Sequence, residues 1–431
     1  MPSLPRLEDP RDRRGNVGGD ADLDRPRAWA PRGLTVIDDS TPPLVRTPPE
    51  LEQVVAAARS AGRVALDTEF FRERTYRARL CLMQIASPDS LWLIDPLEPV
   101  DLGDLARIVG DDRVEVVVHA GKQDFELLND HYGVVPKNIF DIQVAAGFVG
   151  LGANLPYGRL VESLVGVKLQ KGESYTDWCH RPLTPAQLDY AADDVRYLLE
   201  AAERLKERLR ELNRFDWAME EMQALQDAEA YGVDPDRAWE RVGGKGTLSS
   251  RQTAVLKEIA RWREESAARR DIPRGWVVKD PTLIEIARRM PGSVGALKSI
   301  RGLNAKEAER SGRNLVQAVE AGKSAPPVLA PPAPPRTAIA RARMMSGLAD
   351  AVVRARCEQA ELATELVSTR GELESLLAAA VAGTLEGNES RHRLLRGWRL
   401  DLAGDAVLAL AAGRLAVRAI DTPPYVEEVS L

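Results

Sequence analysis

Cysteine is scarce in this chain of 431 residues, which has only Cys81, Cys179 and Cys357. An odd number of widely spaced cysteines does not form the framework of a small disulfide-rich secreted domain, and the spacing excludes a zinc knuckle. We therefore expect free thiols, a cytoplasmic location and a fold stabilised by its hydrophobic core.

Long hydrophobic runs are also missing. No apolar segment approaches the roughly 18–20 residues that span a bilayer, and the first residues lack the apolar core of a secretory signal. With 44% hydrophobic and 29% charged residues, the composition is typical of an ordinary soluble protein of two to four domains. We expect no membrane partner and a monomer.

An overall excess of basic residues, the usual mark of a nucleic-acid-binding protein, is absent, since the net charge is −6. The charge is unevenly distributed. Residues 41–211 contain 20 Lys+Arg against 27 Asp+Glu, whereas residues 246–323 contain 16 against 9. An acidic front and a basic rear favour a cation-binding catalytic domain joined to a module that binds a polyanion, although two unrelated domain surfaces would give a similar pattern.

Composition and hydrophobic periodicity divide the chain into seven parts. They are a disordered extension (1–40), an α/β domain (41–212), a connector (213–245), a helical domain (246–323), a Pro-rich linker (324–336), a second helical domain (337–420) and a frayed tail (421–431). In the α/β domain, short apolar runs predict strands at 63–69, 80–86, 91–95 and 114–119. Helical periodicity follows at 122–130, 141–148, 157–165 and 185–212. This order indicates a mixed sheet flanked by helices.

The first candidate site lies in the sequence VALDTEF, residues 64–70. Alternate residues of a strand point to the same face, so Asp67 and Glu69 project together from the end of a hydrophobic strand. A pair of carboxylates at a strand end is common in solvent as well. By itself it indicates catalysis only weakly.

Two further acidic positions follow. Asp124 falls in the first turn of a helix after the strand that ends at His119, where an anion also simply stabilises the helix. On a later helix, Tyr190 is followed at three and four positions by Asp193 and Asp194, and the spacing does not choose between these two aspartates. A solvated acidic stripe would give the same pattern.

Taken together, these elements resemble the DEDDy 3′→5′ exonucleases, and most closely the ribonuclease D family, over roughly residues 45–212. The most specific stretches are LDTEF (66–70), HAGKQD (119–124), FDIQ (140–143), KGESYTDW (171–178) and YAADDVRYL (190–198). The resemblance implies a ribonuclease-H-like fold. It also implies hydrolysis of RNA from the 3′ end to 5′-mononucleotides, with the single-stranded 3′ ends of structured RNA such as tRNA precursors as substrate.

The same resemblance assigns the site. It implies that Asp67, Glu69, Asp124 and Asp194 bind two divalent cations, Mg²⁺ or Mn²⁺, and that Tyr190 positions the attacking water. The resemblance therefore assigns the metal-binding role to Asp194 and not to Asp193. At an effective dielectric near 20, two carboxylates about 4 Å apart repel each other by roughly 4 kcal/mol, so a cluster of four requires neutralising cations. Oxygen ligands favour Mg²⁺ or Mn²⁺ over zinc.

Four further residues are candidates for contact with the substrate. Lys171 could bind a phosphate, and Trp178 could stack on a base, although packing of its loop is the more common role of a tryptophan. Gln84 and His119 complete the set, and a packed histidine is the more frequent finding at a strand end. Arg72, Arg74, Arg77 and Arg79 alternate after the first strand and could follow an RNA backbone or form a plain solvated face.

The helical domain at 246–323 resembles an HRDC domain in its apolar pattern, which includes Trp262, Trp276 and Leu283. The last helical region resembles a second, diverged HRDC-like domain, making the expected fold an α/β exonuclease domain followed by two all-α HRDC-like domains. Two alternatives to an exoribonuclease remain at this point: a DNA exonuclease with the same carboxylates, and an inactive RNA-binding adaptor.

Overall fold

The computed structural model describes residues 42–169, 176–232, 234–329 and 334–431. The predicted extension at 1–40 lies outside the described residues, and so does Lys171. No helix in the described part of the chain is long and apolar enough to cross a bilayer.

A six-stranded mixed sheet forms the centre of the first domain, in the order β1-β4-β3-β2-β5-β6. Strand β3 is antiparallel to β2 and β4, and the other pairs are parallel. The strands are β1 (Leu44–Val45), β2 (Arg63–Phe71), β3 (Arg79–Ser87), β4 (Ser90–Ile94), β5 (Glu115–Val118) and β6 (Ile139–Asp141). The four predicted strands are confirmed. The sequence pattern missed β1 and β6 because two or three residues are too short to show alternation.

Among the described residues, eight α-helices belong to this domain and its connection to the rear. They are α1 (Pro48–Ala61), α2 (Gly103–Val109), α3 (Lys122–Tyr132), α4 (Ile142–Phe148), α5 (Tyr157–Leu164), α6 (Pro185–Arg196), α7 (Leu198–Glu211) and α8 (Phe215–Gln223). The prediction of one continuous helix over 185–212 is wrong, because the chain turns at Tyr197, where φ is −105° and ψ is −1°. The break lets α6 pack over β2, β3 and β4 while α7 packs on α4 and α5.

The two faces of the sheet have different roles. Val64 and Leu66 of β2 join Val116 and Val118 of β5 in a core covered by α1, α2 and α3. Because side chains alternate along a strand, Asp67 points to the opposite face, which α6 covers. The strand pattern thus separates the core from the candidate site.

The rear helical domain consists of α9 (Ser250–Arg270), α10 (Arg274–Val277), α11 (Asp280–Arg289), α12 (Val294–Lys298) and α13 (Ala305–Ser324). Its two long helices approach closely at Gly322, where a Cβ atom would lie 2.4 Å from the Cα of Val255. The predicted connector also has structure of its own. A 3-10 helix, Pro235–Arg241, packs on α9 and contributes Ala238 to the core of this domain.

The C-terminal region is rich in helix and ends in a hairpin. Its elements are α14 (Arg336–Gln359), α15 (Thr364–Val367), α16 (Arg370–Ala382), α17 (Gly397–Arg399), a π-helix (Leu400–Gly404), α18 (Asp405–Ala411), β7 (Leu415–Ala419) and β8 (Val426–Ser430). The prediction of a frayed tail at 421–431 is wrong, since β8 pairs with β7. Arg356 of α14 also forms a bidentate ion pair with Glu428, at 2.6 and 2.7 Å.

The prediction of three free thiols is wrong for two of them. Cys81 of β3 and Cys179, 98 residues later, form a disulfide with their Cα atoms 4.9 Å apart. Sequence spacing could not reveal this pair because it depends on the loop before α6 returning to β3. Cys357 is a free, buried cysteine.

Candidate active site

Strand β2 and helix α6 bring three carboxylates together at the C-terminal end of the strand. The ligand oxygens of Asp67, Glu69 and Asp194 all lie within 4.8 Å of one another. The alternation along β2 places the first two on one face, and α6 crosses that face with Asp194. This spacing is short enough for the three side chains to share a cation.

The structure distinguishes Asp194 from its neighbour on α6. Asp193 forms an ion pair with Arg196, at 3.1 Å between Nε and Oδ1, and its backbone carbonyl accepts a hydrogen bond from the Tyr157 hydroxyl. Of the two aspartates, Asp194 is the one in the cluster with Asp67. This position favours Asp194 over Asp193 as the fourth carboxylate of the predicted site.

Asp124 approaches the same cluster from α3. Its side chain is buried and accepts a hydrogen bond from the Thr68 hydroxyl of β2. Its charge acts on both Asp67 and Glu69. All four carboxylates named from the sequence therefore lie in one region, supplied by β2, α3 and α6.

The tight turn before α3 sets the position of Asp124. A Cβ atom at Gly121 would lie 2.6 Å from Val118, so a larger residue would displace the end of β5. Asp141, at the start of α4, accepts hydrogen bonds from the backbone N–H groups of Ala120 and Gly121. The sequence reasoning missed these hydrogen bonds to Asp141, and it missed the hydrogen bond that Thr68 donates to Asp124. Asp141 lies within the motif FDIQ, and Thr68 lies within LDTEF.

Burial and mutual repulsion make these carboxyl groups weak acids. Burial is the largest cause in each case. It raises the pKa of Glu69 to about 8 and that of Asp124 to about 7, and the pKa values of Asp67 and Asp194 lie well above the usual range. The charges of neighbouring carboxylates add to this effect for Asp67, Glu69 and Asp194.

This donor set fits hard divalent cations. It offers only carboxylate oxygens, which are the ligands that Mg²⁺ and Mn²⁺ prefer. A bound cation would lower the pKa values of these carboxyl groups, because it stabilises the ionised carboxylates that burial destabilises. Buried acids this close together are costly in any protein that does not use them.

Tyr190 lies on α6 one turn before Asp194 and is partly buried. Its ring packs against Trp178, with centroids 5.9 Å apart and an interplanar angle of 35°. Trp178 is only 4% exposed. This burial favours packing of the loop over stacking on a base.

The loop that carries Trp178 is fastened to the sheet. Arg181 donates to both carboxylate oxygens of Asp95, at 2.6 and 2.7 Å, and to the carbonyl oxygens of Cys81 and Trp178, at 2.6 and 2.8 Å. The disulfide between Cys81 and Cys179 adds a covalent connection. Sequence reasoning missed Arg181, whose partners are distant in the chain.

The remaining candidates differ in their surroundings. Nε2 of His119 lies 3.0 Å from the carbonyl oxygen of Leu155, the ring packs against Tyr157, and burial lowers its pKa. His119 thus has the contacts of a packed histidine. Gln84 pairs with Asp67 across the two strands and is fully buried, and neither polar atom of its amide has a hydrogen-bond partner within the described part of the chain.

The fold and the carboxylate cluster define a metal-dependent nuclease. Residues 43–210 match a family model described as a 3′-5′ exonuclease, and residues 252–319 match the HRDC domain. The first domain therefore belongs to a known class of enzymes that degrade nucleic acid from the 3′ end. The basic helical domain behind it is an HRDC domain.

Relatives that match nearly the whole chain identify the family to which it belongs. Ribonuclease D of Gluconacetobacter diazotrophicus is 37% identical over 384 residues, which are 87% of this chain and 94% of the relative. Ribonuclease D of Nitrobacter hamburgensis is 37% identical over 379 residues, 87% of this chain and 96% of the relative. The chain belongs to the ribonuclease D family and is a 3′→5′ exoribonuclease.

A solved structure supports the same family. The crystal structure of Escherichia coli RNase D, described as an exoribonuclease involved in structured RNA processing, has 31% sequence identity and a TM-score of 0.73. The match covers 86% of this chain and 99% of that chain. The likeness thus includes the helical regions as well as the exonuclease domain.

Proposed function

We propose that this exoribonuclease hydrolyses the 3′-terminal phosphodiester of structured RNA by a two-metal-ion mechanism and releases 5′-mononucleotides. The observation that carries the proposal is the convergence of four acidic side chains from β2, α3 and α6. In the proposed assignment, Asp67, Glu69 and Asp194 would hold one divalent cation, and Asp67 and Asp124 would hold a second.

When bound, a pair of Mg²⁺ or Mn²⁺ ions activates the attacking water and stabilises the leaving 3′ oxygen. The protein groups supply the rest. The hydroxyl of Tyr190 orients the water, and the packing of Trp178 against its ring restricts the ring to few orientations. The hydroxyl of Thr68 donates to Asp124 and holds that carboxylate in a fixed direction.

The substrate contacts follow from the surroundings of each candidate. We assign Gln84 to the wall of the site, because its buried amide faces the same side of the sheet as Asp67. Lys171 is proposed as a phosphate contact on the basis of its motif. We propose packing roles for Trp178 and His119, since both rings are engaged within the protein.

The proposed substrates are RNAs with single-stranded 3′ ends, such as tRNA precursors. The E. coli relative is described as acting in structured RNA processing. We further propose that the enzyme acts as a monomer in the cytoplasm. An RNA substrate, rather than DNA, is consistent with the name that its relatives share.

The test is a digestion of 3′-tailed RNA and a DNA of the same sequence, with Mg²⁺ or Mn²⁺ titrated and the products identified by mass spectrometry. We expect 5′-mononucleotides to appear one at a time from the RNA, and no product in EDTA. Asp67→Asn is the matched control, since it removes one charge and keeps the shape of the side chain.

The alternatives predict different outcomes. Equal or faster degradation of the DNA would favour a DNA exonuclease, because an RNA-specific site detects the 2′-hydroxyl. Absence of any mononucleotide at all metal concentrations, with RNA binding intact, would favour an inactive adaptor.

A further inference from the structure

A loop rich in arginine leaves the end of β2, the strand that carries the first two carboxylates of the site. Its charged residues are all exposed and comprise Arg72, Glu73, Arg74, Arg77 and Arg79. Arg72 comes three residues after Glu69, a separation of about 10 Å in extended chain. We call residues 72–79 the arginine loop. Its positively charged side chains lie along the segment that leads from the carboxylates toward the HRDC domain.

The arginine loop is docked on the HRDC domain. The Tyr76 hydroxyl donates to Oε1 of Glu264 in α9 at 2.8 Å, and Glu264 is only 1% exposed. The backbone N–H groups of Tyr76 and Arg77 donate to Oδ1 of Asp271, at 3.1 and 3.3 Å. These bonds join the catalytic strand and the HRDC domain into one continuous surface.

A cavity of about 260 Å³ lies where the two domains meet. Arg72 and Tyr76 line it from the loop, and Arg274 and Gly275 line it from α10. Two acidic side chains of the cavity have cationic or hydrogen-bonding partners. Glu126 forms an ion pair with Arg72 at 3.6 Å. Glu264 accepts a hydrogen bond from the Tyr76 hydroxyl and lies 3.7 Å from Arg274. The arginines at its rim, Arg72 and Arg274, remain 44% and 47% exposed.

Trp276 follows the cavity-lining Gly275 and is 60% exposed, whereas the next residue, Val277, is buried. A single exposed apolar side chain is common on protein surfaces. Trp276 differs in its position, because it is next in sequence to Gly275 of a cavity that Arg72 and Arg274 also line. Proteins that bind single-stranded nucleic acid combine such aromatic platforms with cationic groups along the backbone.

We propose that the single-stranded RNA upstream of the 3′ end runs from the carboxylates along the arginine loop to Trp276, which stacks on a base. The inference rests on the proposed function and adds a binding subsite to it. Charge complementarity favours RNA as the occupant, since the loop contains four arginines and one acid, and residues 246–323 contain 16 Lys+Arg against 9 Asp+Glu.

The test compares Trp276→Ala and Trp276→Phe with the wild-type full chain on two substrates. One is an RNA with a single-stranded 3′ tail of about ten nucleotides, within the range that such sites cover. The other is a dinucleotide, which has only one nucleotide upstream of the scissile linkage. For Trp276→Ala we expect KM on the tailed RNA to rise roughly 5-fold or more, the loss of one stacked base, with hydrolysis of the dinucleotide unchanged. Trp276→Phe keeps a ring and should retain most of the affinity.

Met344→Ala is the matched control, because Met344 is also an exposed apolar residue, at 84%, but lies in the C-terminal region. It should leave KM unchanged on both substrates. The proposal fails if Trp276→Ala has the wild-type KM on the tailed RNA. It fails equally if the substitution alters self-association of the protein but leaves that KM unchanged. Failure of the proposed function looks different, because then the wild-type chain hydrolyses neither substrate.

Discussion

The indole of Trp398 stacks on that of Trp217, with ring centroids 5.4 Å apart and an interplanar angle of 16°. Trp398 also meets Phe148 of α4 edge-on at 5.1 Å and is 2% exposed. Beside it, Arg399 forms a bidentate ion pair with Glu221 of α8, at 2.5 and 2.6 Å. These contacts attach the C-terminal helical region to the exonuclease domain.

We predict that Trp398→Ala lowers the free energy of unfolding by about 3–5 kcal/mol, the usual cost of removing a large buried aromatic side chain. Thermal and urea denaturation will measure it. Trp276→Ala serves as the control, since that exposed side chain should change stability by less than about 0.5 kcal/mol. Equal denaturation midpoints for the two variants would show that the stacked pair does not secure the C-terminal region.

The choice between neighbouring aspartates can be tested directly. Asp194→Asn should reduce kcat on the order of 10³-fold or more, or about 4 kcal/mol in the barrier, because it removes a proposed metal ligand. Asp193→Asn should keep most of the activity, since Asp193 pairs with Arg196. Both variants should still bind RNA in a filter or anisotropy assay. A larger loss of kcat in Asp193→Asn than in Asp194→Asn would refute the assignment.

The hydroxyl of Tyr190 is expected to orient the attacking water. Tyr190→Phe should therefore lower kcat by about 10²-fold, within the usual range for a positioned proton-transfer group, while KM changes little. Trp178→Leu should give a smaller loss by loosening the ring of Tyr190, with which it packs. Single-turnover kinetics at saturating metal will measure both. Full turnover by Tyr190→Phe would remove the tyrosine from the mechanism.

The raised pKa values predict how the metal-free protein responds to pH. Burial raises the pKa of Glu69 to about 8 and that of Asp124 to about 7, so the folded state keeps protons that the unfolded chain releases near pH 4. The folded state binds more protons in this interval. Stability in EDTA should therefore fall as the pH rises from about 5 to 8, by at most about 1.4 kcal/mol for each unit of pKa difference.

Thermal denaturation in EDTA across this pH range is the measurement. Other groups titrate as well, so the comparison is with Glu69→Gln, whose melting temperature should fall less steeply. Saturating Mn²⁺ should raise the melting temperature of the wild-type chain most at the upper end of the range, since it binds the ionised cluster of the folded state. Parallel curves for the two proteins in EDTA would contradict the prediction.

Local patterns in the sequence were sufficient for the parts of the fold that depend on nearby residues. The alternation in VALDTEF placed Asp67 and Glu69 on one face of a strand, and the four longer strands and most helices followed from hydrophobic period. The resemblance of five motifs to ribonuclease D then selected Asp194 and Asp124. Each of these inferences uses residues that lie within one element or one motif.

Tertiary structure alone decided the contacts between distant segments. The bond between Cys81 and Cys179, the strand formed by the last residues, and the docking of Tyr76 on Glu264 each join parts of the chain whose separation has no local signature. The burial of Trp178 and the break at Tyr197 depend equally on what packs around them. Periodicity determines which face of an element is apolar, but only the packed chain determines which surface that face meets.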